Sequence, residues 1–379
     1  MPNMPDLAHP SAAAAPSVHP AQPFATRLPK IELHAHLTGS ISRDCLHHIW
    51  DSKNAQHVQH AQHDQHTQHT QHAPFDLQDP LLAIPSHKVD YDLDTFFPLF
   101  SSYIYKLCSD LPSIEYSTQA VLQDFQADGV VYLELRTTPR AIPEKGITKD
   151  DYVNTILNIL NAWNNNPATS MRAYLILSVD RRNTIAQAEE VVDLCIKYQS
   201  AGVVGIDLCG DPAKGDVRIF TNSFARAKAA GLNMTLHFAE AKVSASDAEL
   251  EALLSWQPDR LGHVIHVKEE YRKLIEQRNI GVELCLSCNV HAKMITGTYS
   301  DHHFGMWRHT HVPVALSTDD VGVFCSPLSA EYALATQHFS LTRSEIKALC
   351  IRVIDSIFSG EHEKNRLRLL YSEWDGWVV

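Results

Sequence analysis

Short apolar runs recur along the chain, and longer amphipathic segments separate them. The runs that have the length of buried strands are residues 31–33, 130–135, 173–179, 203–208, 234–236, 260–264, 281–286 and 314–316. The segments Ile185–Tyr198 and Asp247–Ser255 predict helices between two such runs. Because parallel strands need crossovers of this kind, the pattern predicts repeated β-α units. Eight such strands without a Gly-x-Gly-x-x-Gly fingerprint favour a closed, parallel α/β barrel over a dinucleotide-binding sheet.

Two segments do not fit this pattern. Residues 1–26 contain no Lys or Arg and are rich in Ala, Pro and Ser, which predicts a disordered tail rather than a signal peptide. Residues 56–72 repeat Gln-His-x with a period of three. Such a polar tract lacks core-forming residues, so we predict a flexible loop insertion at 54–73, with metal binding by its histidines as the alternative. The remainder, 27–379, is then a single catalytic barrel domain.

Composition narrows the class of protein. The net charge of −12 argues against binding to a nucleic acid polymer. Eight Cys without a secretory signal predict reduced thiols in the cytosol. No apolar run reaches the roughly 18 residues of a membrane span, which indicates a protein without a membrane partner. We expect a soluble monomer that acts on a small molecule.

Candidate metal ligands stand at the ends of the predicted strands. His34 and His36 end the first run, and strand alternation turns both side chains to the same side. His237 ends the fifth run, and the pair Asp319-Asp320 follows the eighth. In a barrel these strand ends converge. Three His and one Asp are a typical catalytic zinc set with one open position, so we predict one Zn²⁺ per chain.

Proton-handling groups accompany this set. Zinc lowers the pKa of bound water from about 16 to about 7, which makes a hydroxide nucleophile available at neutral pH. Glu240 can serve as general acid and base, and His263, at the end of the sixth run, can hold the nucleophile. Asp320 is free to bind substrate if Asp319 holds the metal. Taken alone, His263 is equally consistent with a hydrogen-bonded histidine in the core, and Glu240 with a cap at the N-terminus of the following helix. Taken together, these residues favour a catalytic site.

Five blocks of the sequence resemble the adenosine and AMP deaminase family of the amidohydrolase barrels. They are Leu28-Pro29-Lys30-Ile31-Glu32-Leu33-His34-Ala35-His36-Leu37, Gly205-Ile206-Asp207-Leu208-Cys209-Gly210-Asp211-Pro212, His237 with Glu240, Arg260-Leu261-Gly262-His263 and Ser317-Thr318-Asp319-Asp320. The resemblance implies a TIM-type barrel of the metal-dependent amidohydrolase kind and hydrolytic removal of the amine at carbon 6 of a purine. It implies zinc binding by His34, His36, His237 and Asp319, proton donation by Glu240, and assistance from His263. Asp320 and the Gly210 backbone would contact the substrate.

Within the family, further segments are similar to the adenosine deaminase-like branch, which acts on N6-methyl-AMP. They are the stretches at 36–42, 132–140, 179–182, 302–305 and 319–324. True adenosine deaminases carry an acidic residue at the position of Thr38, where a carboxylate would repel a 5′-phosphate. Thr38 therefore favours a nucleotide. The residues that we assign to substrate binding besides His36 and Asp320 are Thr38, Tyr105, Thr137, Thr138, Pro139, Arg140, Asp180 and Gly210, with Thr137, Thr138 and Arg140 suited to a phosphate.

The sequence departs from the family pattern at Val264, usually Gly, at Cys288, usually Ser, and at Tyr105, where a His is typical; the branch usually has Asn at Thr38. These departures leave fine specificity open. The predicted reaction is N6-methyl-AMP to IMP plus methylamine, and the alternatives are an adenosine or adenine deaminase and a purine-binding pseudoenzyme.

Two further alternatives concern single groups. Arg140 and Arg181 are as consistent with exposed surface charges or salt bridges as with a role in substrate binding. The Cys285-x-x-Cys288 pair also suggests redox chemistry or structural zinc.

Overall fold

Eight parallel strands form one continuous sheet in the computed structural model, which describes residues 22–63 and 76–377. The strands follow one another in chain order around this sheet: β1 Lys30–His36, β2 Val130–Thr137, β3 Arg172–Asp180, β4 Val203–Cys209, β5 Asn233–Phe238, β6 Arg260–His263, β7 Gly281–Leu284 and β8 Val314–Leu316. A parallel bridge between Ala35 and Asp319 links the segment after β8 back to β1. The predicted α/β barrel is confirmed.

Helices connect the strands and cover the barrel. Their bounds are α1 Gln22–Arg27, α2 Arg43–His63, α3 Pro80–Ala83, α4 Leu93–Leu99, α5 Tyr105–Leu107, α6 Leu111–Ala127, α7 Lys149–Asn165, α8 Ile185–Tyr198, α9 Thr221–Ala229, α10 Asp247–Ser255, α11 Glu269–Gln277, α12 Leu286–His291, α13 Phe304–Trp307, α14 Val321–Phe324, α15 Leu328–Phe339, α16 Arg343–Val353 and α17 Glu361–Glu373. A π-helical turn, Phe100–Ile104, separates α4 from α5. Within 22–63 and 76–377, no helix has the length and apolarity that a membrane crossing requires.

Local sequence signals account for the bounds of the long helices. Thr184 caps α8 by accepting a hydrogen bond from the Gln187 backbone, and the Gln187 side chain reciprocates. Ser246 caps α10 in the same position. Both helices therefore coincide with their predicted segments. The strands read as apolar runs rather than alternating ones because the helices bury their outer faces while the barrel interior buries the inner faces.

A buried ionic network fills the barrel beneath the strand ends. Glu283 on β7 accepts hydrogen bonds from Arg136 Nη2 at 2.7 Å and Arg260 Nε at 2.5 Å. Arg260 Nη2 also lies 2.5 Å from Glu134. All four side chains are buried. Buried charges are tolerated only when they are paired, so this network joins β2, β6 and β7 through a set of mutually dependent contacts.

Three predicted boundaries are wrong. Helix α1 covers residues 22–27, where Phe24 packs against Trp374 at 5.7 Å between ring centroids, so the last residues of the predicted tail are helical. Helix α2 continues to His63, because a helix that is anchored by a buried first half propagates easily through Ala and Gln. Part of the predicted loop at 54–73 is therefore helical. Residues 1–21 and 64–75 lie outside the described residues.

The third boundary is the end of β7. The predicted run 281–286 ends as a strand at Leu284, and Leu286 begins α12. A short apolar run does not by itself distinguish a strand from the buried start of a helix.

Candidate active site

The predicted ligand residues meet at the C-terminal ends of β1, β5 and β8. His36 Nε2 lies 3.1 Å from His237 Nε2 and 3.3 Å from Asp319 Oδ1. His34 Nε2 lies 3.5 Å from the same Asp319 oxygen. His263 joins the group from β6, and donor atoms of His34, His237, His263 and Asp319 all lie within 4.8 Å of one another. The structure thus brings five groups to one point, one more than the predicted set.

In two of the imidazoles, a hydrogen bond at Nδ1 determines which nitrogen carries the proton. His34 Nδ1 donates to Glu283 at 2.6 Å, and His237 Nδ1 donates to Asp207 at 3.1 Å. Each Nε2 therefore presents a lone pair to the shared point. His34 Nε2 is buried and has no hydrogen-bond partner among the described residues. Such inward-facing lone pairs beside the Asp319 carboxylate fit a zinc ion.

The surroundings also set the charges of these groups. Burial lowers the pKa of His36 to about 3, which keeps the imidazole neutral. Burial opposes ionisation of Asp319, but the proximity of His34, and then of His263 and His36, outweighs this and holds its pKa well below the usual range. A neutral imidazole and an ionised carboxylate are the forms that bind a divalent metal.

The pKa values of Glu240 and Asp320 are shifted in the opposite direction to that of Asp319: both are raised. Burial raises the pKa of Glu240 to about 7, and the negative charge of Asp319 also raises it, against the attraction of His237. Burial and the adjacent Asp319 raise the pKa of Asp320 well above its usual range. The site therefore holds an ionised carboxylate beside carboxyl groups that retain a proton. Neighbouring groups whose pKa values are shifted apart in this way can act as acid and base in catalysis.

The backbone is strained where it delivers these side chains. Ala239, His263, Val264 and Asp319 all have positive φ, between 45° and 63°. Non-glycine residues rarely adopt this conformation, and it clusters at functional sites. Val264 is the most unfavourable of them because a β-branched residue has the largest steric cost there. Its φ of 45° explains why Gly suits this position.

A pocket opens beside the cluster, and its empty space, counted together with the open solvent at its mouth, is about 820 Å³. Nine of the ten predicted substrate residues line it, namely His36, Thr38, Tyr105, Thr137, Thr138, Arg140, Asp180, Gly210 and Asp320. Pro139 is buried and is not part of the lining. Gly210 has φ of 101°, and a Cβ there would lie 2.8 Å from the Asp180 carboxyl carbon. Glycine is therefore required at this wall.

Two arginines and an aromatic wall line the pocket away from the cluster. Arg140 lies 4.2 Å above the Tyr105 ring and donates to the Cys108 carbonyl. Arg182 forms a two-pronged pair with Asp180, at 2.8 and 2.6 Å, and its side chain is half exposed. The aromatic wall comes from α4 and the π-helical turn, with Phe96, Phe97 and Phe100. π-Helical turns of this kind often occur at functional sites.

Several residues of the site escaped the sequence reasoning. Arg181 does not line the pocket but pairs with Glu249 at 2.8 Å, so its neighbour Arg182 is the group that faces the substrate space. The outer partners Asp207 and Glu283 were also missed. Each is a carboxylate inside an apolar run that was predicted as a strand. A carboxylate in such a buried position implies a buried hydrogen-bond partner.

The cysteine pair does not form a redox or structural zinc site. Cys285 and Cys288 are free thiols. Burial raises the pKa of each thiol well above its usual range, which makes both poor thiolates. Cys288 instead donates to Asp319 Oδ2 at 2.9 Å. It therefore fixes the carboxylate as a hydroxyl group would.

Comparison with known proteins places the chain among the deaminases. The family model described as Adenosine deaminase matches residues 29–374. Human N6-Methyl-AMP deaminase is 36% identical over 355 residues, covering 91% of this chain and 93% of the human one. The crystal structure of arabidopsis N6-mAMP deaminase has a TM-score of 0.82 at 33% identity, covering 93% of this chain and all of that one. Arabidopsis ADAL in complex with IMP has a TM-score of 0.81 at 33% identity, covering 92% and 97%.

These likenesses extend over the whole barrel rather than over one motif. The matched residues include every strand from β1 to β8 and the loops that carry the cluster. The chain therefore belongs to the adenosine deaminase family and is a hydrolytic deaminase.

Proposed function

We propose that this chain is a zinc-dependent deaminase that converts N6-methyl-AMP and water to IMP and methylamine. The observation that carries the proposal is the convergence of His34, His36, His237 and Asp319 beside a Glu240 whose pKa is about 7. The human and arabidopsis relatives bear the name of this activity, and an arabidopsis relative binds IMP, the predicted product.

His34, His36, His237 and Asp319 are the residues that would hold the zinc. Their side chains come from three separate strand ends, and Glu283 and Asp207 hold the imidazoles of His34 and His237 from behind. When bound, zinc acts as a Lewis acid that makes water a nucleophile at neutral pH. His263 remains outside this set and faces the same space with Nε2, 3.9 Å from Glu240.

Glu240 moves the protons of the reaction. Because it is protonated near neutral pH, it can donate to the purine ring nitrogen next to carbon 6, which makes that carbon electrophilic. A water oxygen then bonds to carbon 6. The resulting carboxylate of Glu240 accepts one proton that the water releases on addition and passes it to the exocyclic nitrogen. The hydroxyl proton that remains on the adduct returns to Glu240 as the carbonyl group of IMP forms. The bond from carbon 6 to that nitrogen breaks, and methylamine leaves.

His263 and Asp320 orient the attacking water. His263 Nε2 is buried and lies 3.8 Å from Asp319 Oδ2. This distance is too long for a direct hydrogen bond, so both atoms are available to a water that bridges them from the pocket side. Asp320 lines the same pocket, with a raised pKa that leaves it able to donate. Both groups are held in place before the substrate arrives, which is how electrostatic stabilisation acts.

The nucleotide preference rests on the charge of the pocket walls. Thr38 contributes a hydroxyl and no charge beside the cluster, whereas on the walls away from the cluster Arg140 and Arg182 contribute two cations against the one carboxylate of Asp180. Thr137 and Thr138 add hydroxyl groups next to Arg140. A dianionic phosphate binds best where such cations and hydroxyls converge.

The test combines metal analysis with a substrate panel. We expect one zinc per chain by elemental analysis, loss of activity with a chelator, and recovery with added zinc. N6-methyl-AMP should be turned over with a higher kcat/KM than AMP, N6-methyladenosine, adenosine or adenine. Faster turnover of adenosine would contradict the nucleotide assignment. A fully active protein without bound metal would contradict the zinc assignment.

A further inference from the structure

The segment His302-His303-Phe304 lies outside the pocket lining, and the proposed reaction gives it no part. His302 and Phe304 are buried, His303 is partly buried, and the two imidazole rings stack at 4.1 Å between centroids. Buried histidines cost free energy unless their nitrogens are hydrogen-bonded. Their partners lead directly to His263.

A chain of hydrogen bonds with one fixed direction connects this segment to the site. The Phe304 backbone N–H can only donate, and it donates to His302 Nδ1 at 3.0 Å. The proton of His302 therefore sits on Nε2, which donates to Asn289 Oδ1 at 3.0 Å. The Asn289 amide nitrogen in turn donates to His263 Nδ1 at 3.1 Å. His263 must accept at Nδ1, so its own proton is on Nε2.

A second contact gives the same orientation of Asn289 independently. The amide nitrogen also lies 3.6 Å from the sulfur of Met294. A thioether has no proton to donate, so the group facing it must be the N–H₂ end of the amide. The amide oxygen then faces His302. This one arrangement gives each polar atom of the Asn289 amide a partner, and the residue is fully buried.

His303 supports the backbone of the same residue. Its Nε2 donates to the carbonyl oxygen of His263 at 2.5 Å. That carbonyl belongs to a residue with φ of 63°, a conformation that persists only where surrounding contacts hold it. The stacked pair thus acts on His263 twice, through Asn289 on the side chain and directly on the main chain.

We propose that His302, His303 and Asn289 are positioning residues that hold His263 as the Nε2–H tautomer aimed into the site. In this form His263 donates a hydrogen bond to the attacking water and has no lone pair for the metal. The inference rests on the proposed function for the use of that donor, but the tautomer itself follows from the contacts. It also explains how His263 can lie among the candidate ligand atoms and still leave the metal to the other residues.

Long-range ¹H–¹⁵N correlation spectra of the uniformly ¹⁵N-labelled, metal-loaded protein test the tautomer directly. The His263 signals are assigned by their loss in His263→Gln. We expect a protonated Nε2 and an unprotonated Nδ1. A protonated Nδ1 in the wild-type protein would overturn the proposal. Loss of zinc from His263→Gln would overturn it as well, because a donor tautomer contributes no metal ligand.

Asn289→Asp tests the relay. A carboxylate can only accept, so it should move the His263 proton to Nδ1 and remove the donor from the site. We expect the two ¹⁵N signals to exchange character and kcat to fall roughly 100-fold, with KM changed less than about threefold. An unchanged His263 pattern in Asn289→Asp would contradict the relay.

Two further variants complete the test. Asn161→Asp, at an exposed amide that donates to the Ala201 carbonyl, is the matched control and should leave kcat and the His263 signals unchanged. His302→Phe removes the partner of Asn289 Oδ1 and leaves the Met294 sulfur as the remaining contact that orients the amide. We expect part of the His263 population to shift to the Nδ1–H tautomer. A protein with the expected His263 pattern but with neither zinc nor deaminase activity would contradict the proposed function and still support the tautomer assignment.

Discussion

Gly39 marks the closest approach of the backbone to a proposed substrate-binding carboxylate. A Cβ on Gly39 would lie 1.4 Å from Asp320 Oδ1, 2.4 Å from its carboxyl carbon and 2.8 Å from its Cβ. Ordinary van der Waals contact begins near 3.4 Å, so Gly39→Ala must displace the Asp320 carboxyl by roughly 2 Å. A misplacement of about 1 Å in a reacting constellation costs on the order of 100-fold in rate. We therefore expect kcat of Gly39→Ala to fall at least 100-fold on the same argument.

Steady-state kinetics with N6-methyl-AMP measure this loss, and Gly360→Ala is the control because its Cβ meets nothing within 4 Å. Zinc content and thermal unfolding of both variants separate a local effect from misfolding. If Gly39→Ala acts through Asp320, the double variant Gly39→Ala/Asp320→Ala should be no slower than Asp320→Ala alone. A Gly39→Ala enzyme with wild-type kcat, or a fully additive double variant, would refute the reasoning.

Glu240→Gln should lower kcat roughly 100- to 10,000-fold while zinc content stays unchanged, and retained turnover would rule out Glu240 as the proton donor. Because the pKa of Glu240 is raised to about 7 and the protonated form is the active one, kcat/KM should decline as pH rises through this value; a flat profile on the alkaline side would contradict that role. Thr38→Asp should raise KM for N6-methyl-AMP roughly tenfold but not for adenosine, with Thr38→Ser as the control, and an equal effect on both substrates would contradict the charge argument. Arg182→Ala should raise KM for the nucleotide roughly tenfold. Arg218→Ala, which breaks the same two-pronged geometry with Asp216 at the surface, should leave KM unchanged.

Strand number and the position of the histidines could be predicted because both depend on local pattern. Apolar runs of the right length recur at regular spacing, and a strand places His34 and His36 on one side whatever surrounds it. The end of α2 could not be predicted, because Ala and Gln are as compatible with a polar loop as with a helix that is already anchored.

The outer contacts of the site were beyond sequence reasoning for a different reason. His34 and its partner Glu283 are 249 positions apart, and Asn289 in α12 meets His302 only because the turn at Tyr299–Asp301 folds back against α12. Nothing in the periodicity of either segment specifies these pairs. Arg181 and Arg182 show the same limit on a small scale, since adjacent arginines differ only in the direction that the turn after β3 gives them.

The ionic network around Glu283 bears on how the protein acquires its metal. Glu283 binds His34, and Arg136, Arg260 and Thr235 hold Glu283 from three other strands. These bonds link protein groups only, so the His34 imidazole is already oriented in the folded barrel before an ion enters. Metal uptake then requires little rearrangement, and its free energy adds almost entirely to the stability of the folded state. Chelation should therefore lower the melting temperature without unfolding the barrel, and the demetallated protein should reload quickly.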